Sequence, residues 1–416
     1  MKKITAIVLG AGSRGHAYAD YSLSCPEELE IVGVAEPDEK KRTLFADQYH
    51  IPVERCFADW QEILQQPQMA DAAFVCTLDH MHTQPAIQAL KKGYHVLLEK
   101  PMSNKKEECL AIAQAAEESG KVLTVCHVLR YTSFYQTIKK LIETDAVGEV
   151  VTVDQIENVG YWHQAHSFVR GNWRNSDQTS IMILQKSCHD LDIISWLIDK
   201  PCTWVSSFGR LSHFTKENWP QGAPDNCMKG CPYSEECLYY APKIYLTGKK
   251  TWPVDVITTD LTEEGIKKAL QEGPYGRCVY ACDNNVVDHQ VVNLEYEGGA
   301  TATFTMTAFG ADITRQLKIM GTKGQIMGDL DKEQICLQRF GEKEPEQIVP
   351  ERGIADQFGH GGGDYGIVKN FIGLVNGNGD NLTSAKASLQ SHLMCFAAEQ
   401  SRLEHRAIPM SEMEGE

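Results

Sequence analysis

The chain opens with a strand pattern that runs directly into a glycine-rich turn. Residues 4–9 read Ile-Thr-Ala-Ile-Val-Leu, and residues 10–15 read Gly-Ala-Gly-Ser-Arg-Gly, followed by a helix-capable segment. Five apolar residues in six are typical of a buried parallel strand. In this context Gly10 allows a tight turn, Gly12 allows close approach of a pyrophosphate, and Gly15 allows helix–strand packing. The opening therefore predicts a dinucleotide-binding strand–turn–helix.

A second apolar strand, predicted at 29–35, ends beside the acidic residue Glu36. An acidic residue about 20 positions after the turn completes the dinucleotide fingerprint, because its carboxylate accepts hydrogen bonds from a ribose hydroxyl. The same charge repels a 2′-phosphate, so the pattern predicts NAD. Lys40, Lys41 and Arg42 follow closely and leave NADP open as the alternative cofactor.

Strand and helix patterns then alternate as far as residue 126. Strands are predicted at 72–77, 95–98 and 122–125, and helices at 38–49, 60–66, 84–92 and 107–119. Repeated β-α-β units build a doubly wound parallel sheet, which binds its ligands beyond the carboxyl ends of the strands. Residues 1–126 are therefore predicted to form an NAD(P)-binding Rossmann domain.

The pattern changes near Gly148 to longer stretches of period-two character, including a hairpin at 291–296 and 301–307 and two final helices at 365–375 and 384–402. Residues 127–416 are predicted to form a second, α+β domain on a largely antiparallel sheet. The fold class is thus α/β, a Rossmann domain followed by an α+β domain. Threonines alternate along 301–307 and indicate a half-buried face, which either pairs subunits or meets solvent.

Composition limits the classes of partner. The 416 residues suit two domains, and a net charge of −16 argues against nucleic acid and anionic membranes as partners. No apolar run reaches the ~18–20 residues that a membrane helix needs. The 14 cysteines are mostly scattered through the strand and helix patterns, as expected of reduced thiols, so a cytoplasmic location is predicted.

Four motifs together carry a family resemblance. They are the glycine turn, Thr-Leu-Asp-His-Met-His at 77–82, Gly-Tyr-His-Val-Leu-Leu-Glu-Lys-Pro at 93–101, and His-Asp-Leu-Asp-Ile-Ile-Ser-Trp-Leu at 189–197. With them the chain resembles the glucose–fructose oxidoreductase / inositol dehydrogenase / MocA (Gfo/Idh/MocA) family over most of 1–210 and again at the hairpin. The resemblance implies NAD(P)-dependent oxidation or reduction of hydroxyl groups in sugars and polyols. We also expect a homo-oligomer, either a dimer or a tetramer.

The resemblance also implies two catalytic residues. Lys100 matches the lysine of the Glu-Lys-Pro element and His189 matches the downstream histidine. An imidazole with a pKa near ~6.5 suits the general base, and a lysine charge polarises the reacting oxygen. The family often carries an aspartate four residues before the histidine, but Gln185 stands there. Its neighbour Lys186 is predicted to supply the missing ionisable group, the alternative being that it points to solvent.

The remaining site predictions follow from these motifs. Predicted cofactor-binding residues are Gly10, Gly12, Ser13, Arg14, Gly15, Glu36, Thr77, Asp79, His82, Glu99 and Lys100. Predicted substrate-binding residues are Lys100, Arg130, Tyr161, Trp162, Lys186, His189 and His360. For Tyr161 and Trp162 the alternative is loop packing, and for His360 it is a simple connecting turn.

An insertion at about 214–285 makes the chain longer than the family core. Cys227, Cys231 and Cys237 lie close together in it, and Cys278 follows with Cys282 as an alternate. Four thiolates hold zinc tetrahedrally, so Cys227, Cys231, Cys237 and Cys278 are the predicted ligands of a structural zinc. The competing interpretation is a loop with free thiols.

Three functions are compatible with this sequence. The first is an NAD-dependent dehydrogenase of a sugar, polyol or related cyclic compound. The second is an NAD-dependent glycosidase or lyase that oxidises a sugar ring transiently, and the third is a non-catalytic sugar or NAD sensor. Because Lys100 and His189 are both present, the sensor is the least favoured, and the dehydrogenase is the leading hypothesis.

Overall fold

The computed structural model describes residues 2–353 and 358–414, and its first part is a six-stranded parallel sheet. The strand order is β3-β2-β1-β4-β5-β6. The strands are β1 (Ile4–Leu9), β2 (Leu29–Ala35), β3 (Cys56–Phe57), β4 (Ala72–Val75), β5 (His95–Leu98) and β6 (Leu123–Val125). The helices are α1 (Ser13–Ala19), α2 (Tyr21–Ser24), α3 (Glu39–Gln48), α4 (Trp60–Gln65), α5 (Thr83–Lys91) and α6 (Lys106–Ser119).

Local sequence explains why these elements begin and end where they do. The strands of the sheet centre are almost entirely apolar and buried, as expected when helices cover both faces. Asp38 and Asp59 cap α3 and α4 by accepting backbone N–H groups of the first turn. Gly120 ends α6 in the left-handed conformation at φ 61°.

The second sheet has nine strands in the order β14-β13-β12-β11-β7-β10-β9-β8-β15. Every neighbouring pair is antiparallel except β7 and β10, which are parallel. The strands are β7 (Val150–Asn158), β8 (Cys202–Arg210), β9 (His289–Tyr296), β10 (Thr301–Thr307), β11 (Thr314–Gly321), β12 (Gly324–Asp329), β13 (Gln334–Arg339), β14 (Glu346–Ile348) and β15 (Ile408–Pro409). The predicted hairpin is confirmed as β9 and β10.

Helices cover one face of this second sheet and leave the other open. The helices are α7 (Ser133–Glu143), α8 (Tyr161–Gln164), α9 (Met182–Gln185), α10 (Cys188–Ile198), α11 (Ala241–Tyr245), α12 (Val254–Ile257), α13 (Glu263–Glu272), α14 (Gly363–Val375), α15 (Ala385–Glu404) and α16 (Ser411–Glu414). The helix α10 is buried along nearly its whole length, and it joins α15 and the inner sheet residues in one apolar core.

One late helix returns to the first sheet. Ile367, Val368, Phe371 and Ile372 of α14 share an apolar core with residues of β1 and β4. The domain boundary between residues 126 and 127 remains a prediction. The chain returns to the first domain at α14. This return matters for the site, because it places the start of α14 next to the glycine turn.

The insertion at 214–285 forms a small layer of its own. It contributes α11, α12 and α13 and two apolar clusters, one of which also includes Val169 and Ala308 of the surrounding domain. Within residues 2–353 and 358–414, no helix is long and apolar enough to cross a membrane.

Candidate active site

The turn after β1 contains three glycines, and two of them lie where no side chain would fit. Gly10 has φ +101°, and a Cβ there would lie 2.6 Å from the carbonyl oxygen of Cys76. A Cβ on Gly15 would lie 2.3 Å from the carbonyl oxygen of Gly10, whereas a Cβ on Gly12 would meet nothing within 4 Å. Gly10 and Gly15 are therefore required by backbone packing. Gly12, with exposed Ser13 beside it, leaves open space for a pyrophosphate.

Glu36 reaches from the end of β2 back to this turn. Its Oε2 accepts the Ala11 N–H at 2.9 Å, and its Oε1 accepts the Asp38 N–H at 3.1 Å. The carboxylate is thus fixed beside the open space at Gly12, where a ribose attached to the pyrophosphate would lie. The residues around this space, an open glycine turn and an acceptor carboxylate, fit a dinucleotide.

Arg14 links the glycine turn to two buried carboxylates. Its Nε lies 2.6 Å from Oε1 of Glu99, and its Nη2 lies 2.6 Å from Oδ1 of Asp364 at the start of α14. Burial alone would raise the pKa of Asp364, but Arg14 and then His360 hold it well below its usual range. Arg14 and Glu99 thus bind each other, and a direct contact of either with a cofactor stays a prediction.

His360 lies on the cofactor side of the site. Its Nδ1 is 3.1 Å from both carboxylate oxygens of Asp364 and 3.5 Å from Nη1 of Arg14, and its side chain is 44% exposed. The structure therefore places His360 against the Arg14–Asp364 ion pair. Its predicted contact with substrate is untested.

Lys100 is brought to the loop that precedes His189. Its Nζ donates a hydrogen bond of 2.7 Å to the backbone carbonyl of Gln185 at the end of α9. The following peptide bond to Pro101 is cis. His82 lies with Nδ1 2.7 Å from the Pro101 carbonyl oxygen and Nε2 2.9 Å from that of Thr77. His82 therefore braces the turn that presents Lys100.

His189 is the second residue of α10 and is almost fully buried, with 7% of its surface exposed. Burial lowers its pKa well below the usual value, and the positive charge of Lys100 and the neighbouring His127 lower it further. The imidazole is consequently neutral near pH 7 and able to accept a proton. Its Nδ1 is buried without a hydrogen-bond partner among the described residues.

Lys186 does not point to solvent, so that alternative is wrong. Its side chain is 16% exposed, and its Nζ lies 3.3 Å from Oε1 of Glu157 on β7. Burial lowers the pKa of Lys186, and the Glu157 charge works against that shift. The amine is therefore a buried cation held beside a carboxylate, next to the helix that carries His189.

A second cation, Arg315, binds the Glu157 carboxylate and also that of Asp190. Arg315 on β11 contacts Oε1 of Glu157 at 2.5 Å and Oδ1 of Asp190 at 2.8 Å. Burial raises the pKa of Asp190, with Arg315 opposing and Glu157 adding to the rise. For Glu157, Arg315 and Lys186 outweigh burial and lower the pKa. This network ties α10 to two strands of the sheet.

The two predicted aromatic residues differ in their surroundings. The ring of Tyr161 packs 6.2 Å from Tyr239 of the insertion, which matches loop packing. The ring of Trp162 lies 5.1 Å from Trp252, an insertion residue that is 40% exposed. The ring of His163 lies 5.0 Å from the same Trp252 ring. A sugar contact at Trp162 stays a prediction.

Arg130 is engaged within the chain. Its Nε and Nη2 each bond Asp192 at 2.7 Å, and its Nη1 donates to the Leu382 carbonyl at 2.8 Å. A substrate contact by Arg130 would have to replace one of these bonds. The guanidinium instead holds Asp192 in place on α10, three residues after His189.

The loop after β4 carries one occupied carboxylate and one unpartnered hydroxyl. Asp79 accepts hydrogen bonds from Nε1 of Trp173 at 3.2 Å and from Oγ of Ser180 at 2.5 Å. Oγ1 of Thr77 is buried with no partner among the described residues. Buried hydroxyls are nearly always hydrogen-bonded, so this orphan fits a site that receives a bound group.

The structure does not form the predicted zinc site. Cys227, Cys231, Cys237 and Cys278 do line one cavity of about 310 Å³. Across residues 2–353 and 358–414, however, no group of three or more His, Cys, Asp or Glu side chains converges closely enough to hold a metal ion. The thiols lie around the cavity wall, and the alternate Cys282 bonds the Cys278 carbonyl of its own turn. All fourteen cysteines are free thiols.

Comparison with known proteins agrees with this geometry. Residues 4–127 match the family described as "Oxidoreductase family, NAD-binding Rossmann fold", and residues 139–410 match "Oxidoreductase family, C-terminal alpha/beta domain". These two matches define an NAD-binding oxidoreductase built from a Rossmann fold and a C-terminal α/β domain. The chain belongs to the Gfo/Idh/MocA family.

Individual relatives are distant in sequence. The oxidoreductase YteT of Bacillus subtilis is 25% identical over 356 residues, covering 80% of each chain. Glucose-6-phosphate 3-dehydrogenase of Bacillus subtilis is 26% identical over 48% of this chain and 54% of its own. The 2,7-anhydro-N-acetylneuraminate hydratase of Escherichia coli is 27% identical over 36% of this chain and 40% of its own.

Solved structures share the fold over nearly the whole chain. An Agrobacterium radiobacter oxidoreductase in complex with NAD+, L-tartaric acid and magnesium superposes with a TM-score of 0.70 at 14% identity, covering 99% of both chains. The WlbA dehydrogenase of Chromobacterium violaceum, in complex with NADH and UDP-GlcNAcA, gives a TM-score of 0.69 at 17% identity, covering 98% and 96%. At these identities the likeness is one of fold.

Sequence reasoning missed several residues that shape this site. Glu157, Arg315 and Asp364 are buried charges in the networks described above, and His127 lies beside His189. One signal was available for Glu157, because Val153, Gln155 and Glu157 all take inward positions on β7. A charged residue on the inward face of a period-two strand indicates a buried ion pair.

Proposed function

We propose that the protein transfers hydride between NAD and a hydroxyl-bearing carbon of a sugar, a polyol or a related cyclic compound. The observation that carries this proposal is the bond between Nζ of Lys100 and the Gln185 carbonyl. It brings the lysine of the Glu-Lys-Pro element to the loop that leads into the neutral, buried His189. A hydroxyl oxygen placed there meets both a cation and a proton acceptor.

Each residue then has a defined task. NAD, when bound, supplies the hydride acceptor. His189 takes the proton of the reacting hydroxyl, since its lowered pKa keeps the imidazole neutral near pH 7. Lys100 stabilises negative charge on the same oxygen, and Lys186 holds a substrate oxygen or carboxylate from beside Glu157.

We favour NAD over NADP because the Glu36 carboxylate is held beside the glycine turn. One oxygen accepts the Ala11 amide of that turn and the other accepts the Asp38 amide, so a 2′-phosphate bound there would meet a negative charge. NADP remains the alternative, since Lys40, Lys41 and Arg42 follow on the same segment.

The names of the relatives support this class of substrate. They include glucose-6-phosphate 3-dehydrogenase and an inositol 2-dehydrogenase/D-chiro-inositol 3-dehydrogenase of Lacticaseibacillus casei. A second candidate is a glycosidase or lyase with transient oxidation, because two relatives are named hydratases, a reaction class without net redox change. Gln185 in place of the family's aspartate also leaves this candidate open.

The open face of the nine-stranded sheet supports a homo-oligomer, a dimer or tetramer. Phe208, Val291, Thr305 and Ile156 stand in register on four adjacent strands of that face. Phe208 is 58% exposed, and Val291 and Ile156 are each 40% exposed. A second copy of the chain packed on this row would bury it. Free thiols throughout the chain fit the cytoplasm as its location.

The test is an incubation of the purified protein with NAD and a panel of sugars, polyols and glycosides. Accumulation of NADH in proportion to substrate consumed is the expected result. Cleavage of a glycoside without net NADH would support the second candidate instead. Binding of NAD with neither reaction would overturn both and leave the sensor.

A further inference from the structure

Three unpartnered ring nitrogens belong to the proposed base and to a second buried histidine whose ring packs against it. His127, just after β6, is 0% exposed, and its ring centroid lies 5.6 Å from that of His189 at an interplanar angle of 81°. Neither nitrogen of His127, nor Nδ1 of His189, has a hydrogen-bond partner among the described residues. Such groups are rarely left alone, and a buried water commonly bridges them.

A second histidine in ring contact with His127 has both of its own ring nitrogens bonded already. His392 lies 5.5 Å away, but its Nε2 accepts the Met102 N–H and its Nδ1 donates to the Ser388 carbonyl. Oδ2 of Asp192 lies 3.9 Å from Nδ1 of His127. An orientation of His127 with Nδ1–H toward Asp192 therefore leaves its Nε2 as an acceptor for the His189 side.

His189 needs such an acceptor. A neutral histidine accepts a proton at one ring nitrogen while the other carries a hydrogen, and a hydrogen bond from that N–H fixes the tautomer and the orientation of the ring. Gln185 stands where the family often has an aspartate, and its backbone carbonyl accepts the hydrogen bond from Nζ of Lys100. The side-chain carboxylate that could orient His189 is thus missing from that position.

We propose that His127 is the positioning residue of the base: through one buried water it accepts the hydrogen bond from Nδ1–H of His189, while its own Nδ1–H is directed to Asp192. This rests on the proposed function, in which His189 is the base. One proton moves, from the substrate hydroxyl oxygen to Nε2 of His189, and His127 gains none. Burial, followed by the charges of Arg130 and Lys100, lowers the pKa of His127, so it stays neutral and retains an acceptor nitrogen.

Steady-state kinetics of two variants test the proposal. His127→Leu removes the acceptor, and we expect kcat to fall about 10²-fold, within the range that general-base catalysis supplies, with KM little changed. His127→Gln places an oxygen near the position of Nε2 and should recover at least about tenfold of that loss. An unchanged kcat in a folded His127→Leu protein, or a loss seen only in KM, would overturn the proposal.

A second measurement does not depend on turnover. Nitrogen-15 NMR of histidine-labelled protein reports the tautomer of His189, assigned by the signals missing from His189→Gln. We expect the proton on Nδ1 in the wild type and a mixture of tautomers in His127→Leu. His392→Leu is the matched control, because it removes a ring 5.5 Å from His127 whose nitrogens already bond the backbone, and should leave the tautomer unchanged.

The two measurements separate the hypotheses. A wild-type protein that turns over no sugar or polyol, yet holds the proton on Nδ1 of His189 only while His127 is present, contradicts the proposed function and keeps the positioning role. A wild-type proton on Nε2 of His189, or a tautomer indifferent to His127→Leu, contradicts the positioning role whatever the activity.

Discussion

Nζ of Lys186 lies 3.3 Å from Oε1 of Glu157, inside the protein and directly before the helix of the proposed base. The same carboxylate binds Arg315 from the neighbouring strand. The lysine that follows Gln185 in sequence therefore helps to attach the start of α10 to the sheet, and its proposed contact with substrate would be made from this position. Its substitution should affect stability and catalysis together.

Lys186→Met is expected to lower the free energy of unfolding by about 1–3 kcal/mol, because Glu157 loses one of its two cationic partners in a buried site. It should also lower kcat/KM at least about tenfold if Lys186 holds a substrate oxygen, since one good hydrogen bond to a charge is worth that much. Chemical denaturation and steady-state kinetics measure the two effects. Lys186→Arg, which keeps the charge, is the control, and an unaltered kcat/KM in Lys186→Met would restrict the lysine to a structural role.

His189→Ala should abolish most turnover and spare the cofactor. We expect kcat to fall about 10²- to 10⁴-fold, the range for loss of a general base. The dissociation constant for NADH, followed by fluorescence titration, should change little, because His189 lies in the second domain and the glycine turn lies in the first. Loss of NADH binding would contradict the assignment.

The ion pair between Arg14 and Asp364 should make stability depend on pH. The pKa of Asp364 is lower in the folded state than in the unfolded state, where it is about 3.9. The ion pair therefore stabilises the fold at pH values above about 3.9, and this stability is lost as the pH falls toward the lower folded-state pKa. Asp364→Asn should therefore cost about 3 kcal/mol at pH 7 and less below pH ~4. Urea denaturation of both proteins from pH 7 downward measures the difference. A difference that grew at low pH would contradict this account.

Glu36→Gln tests the cofactor preference. Glutamine can still accept the Ala11 N–H, so the turn is retained while the charge is removed. We expect NADPH to bind about tenfold more tightly relative to NADH, because the repulsion of the 2′-phosphate is relieved. Fluorescence titration with both reduced cofactors gives the ratio. Glu36→Ala, which also loses the turn contact, is the comparison, and an unchanged ratio in Glu36→Gln would remove Glu36 as the selector.

Phe208→Asp tests the open sheet face. Phe208 is 58% exposed and pairs in register with Val291. A charge there should dissociate an oligomer built on this face without unfolding the subunit, since burying an unpaired carboxylate is costly. Sedimentation velocity at matched concentrations gives the mass. Leu403→Asp, at a residue 63% exposed on α15, is the control; equal masses of all three proteins would exclude this interface.

Local patterns were sufficient for most of the first sheet. The strands β1, β2 and β5 have the predicted bounds. The single helix predicted after Gly15 is instead two helices, α1 and α2, that meet at Asp20. Propensity is a weak guide to such a break, because tertiary context routinely overrides it.

The site was predicted unevenly. Lys100 and His189 were found because each belongs to a motif whose residues are adjacent in sequence. Glu157, Arg315 and Asp364 are isolated in sequence and become partners only through strand register and helix packing. The cysteine spacing predicted a zinc site, but spacing alone does not fix the directions of four side chains, and the fold spreads them around a cavity.

The sequence by itself determined the Rossmann turn, its acidic partner Glu36 and the family, because these depend on contacts between residues near each other along the chain. Only the tertiary structure decided that Lys186 is a buried cation, that α14 returns to the glycine turn, and that His127 meets His189. Those relationships join segments that are distant in sequence, and their free energy comes from desolvation and charge pairing inside the folded core. No local pattern encodes them.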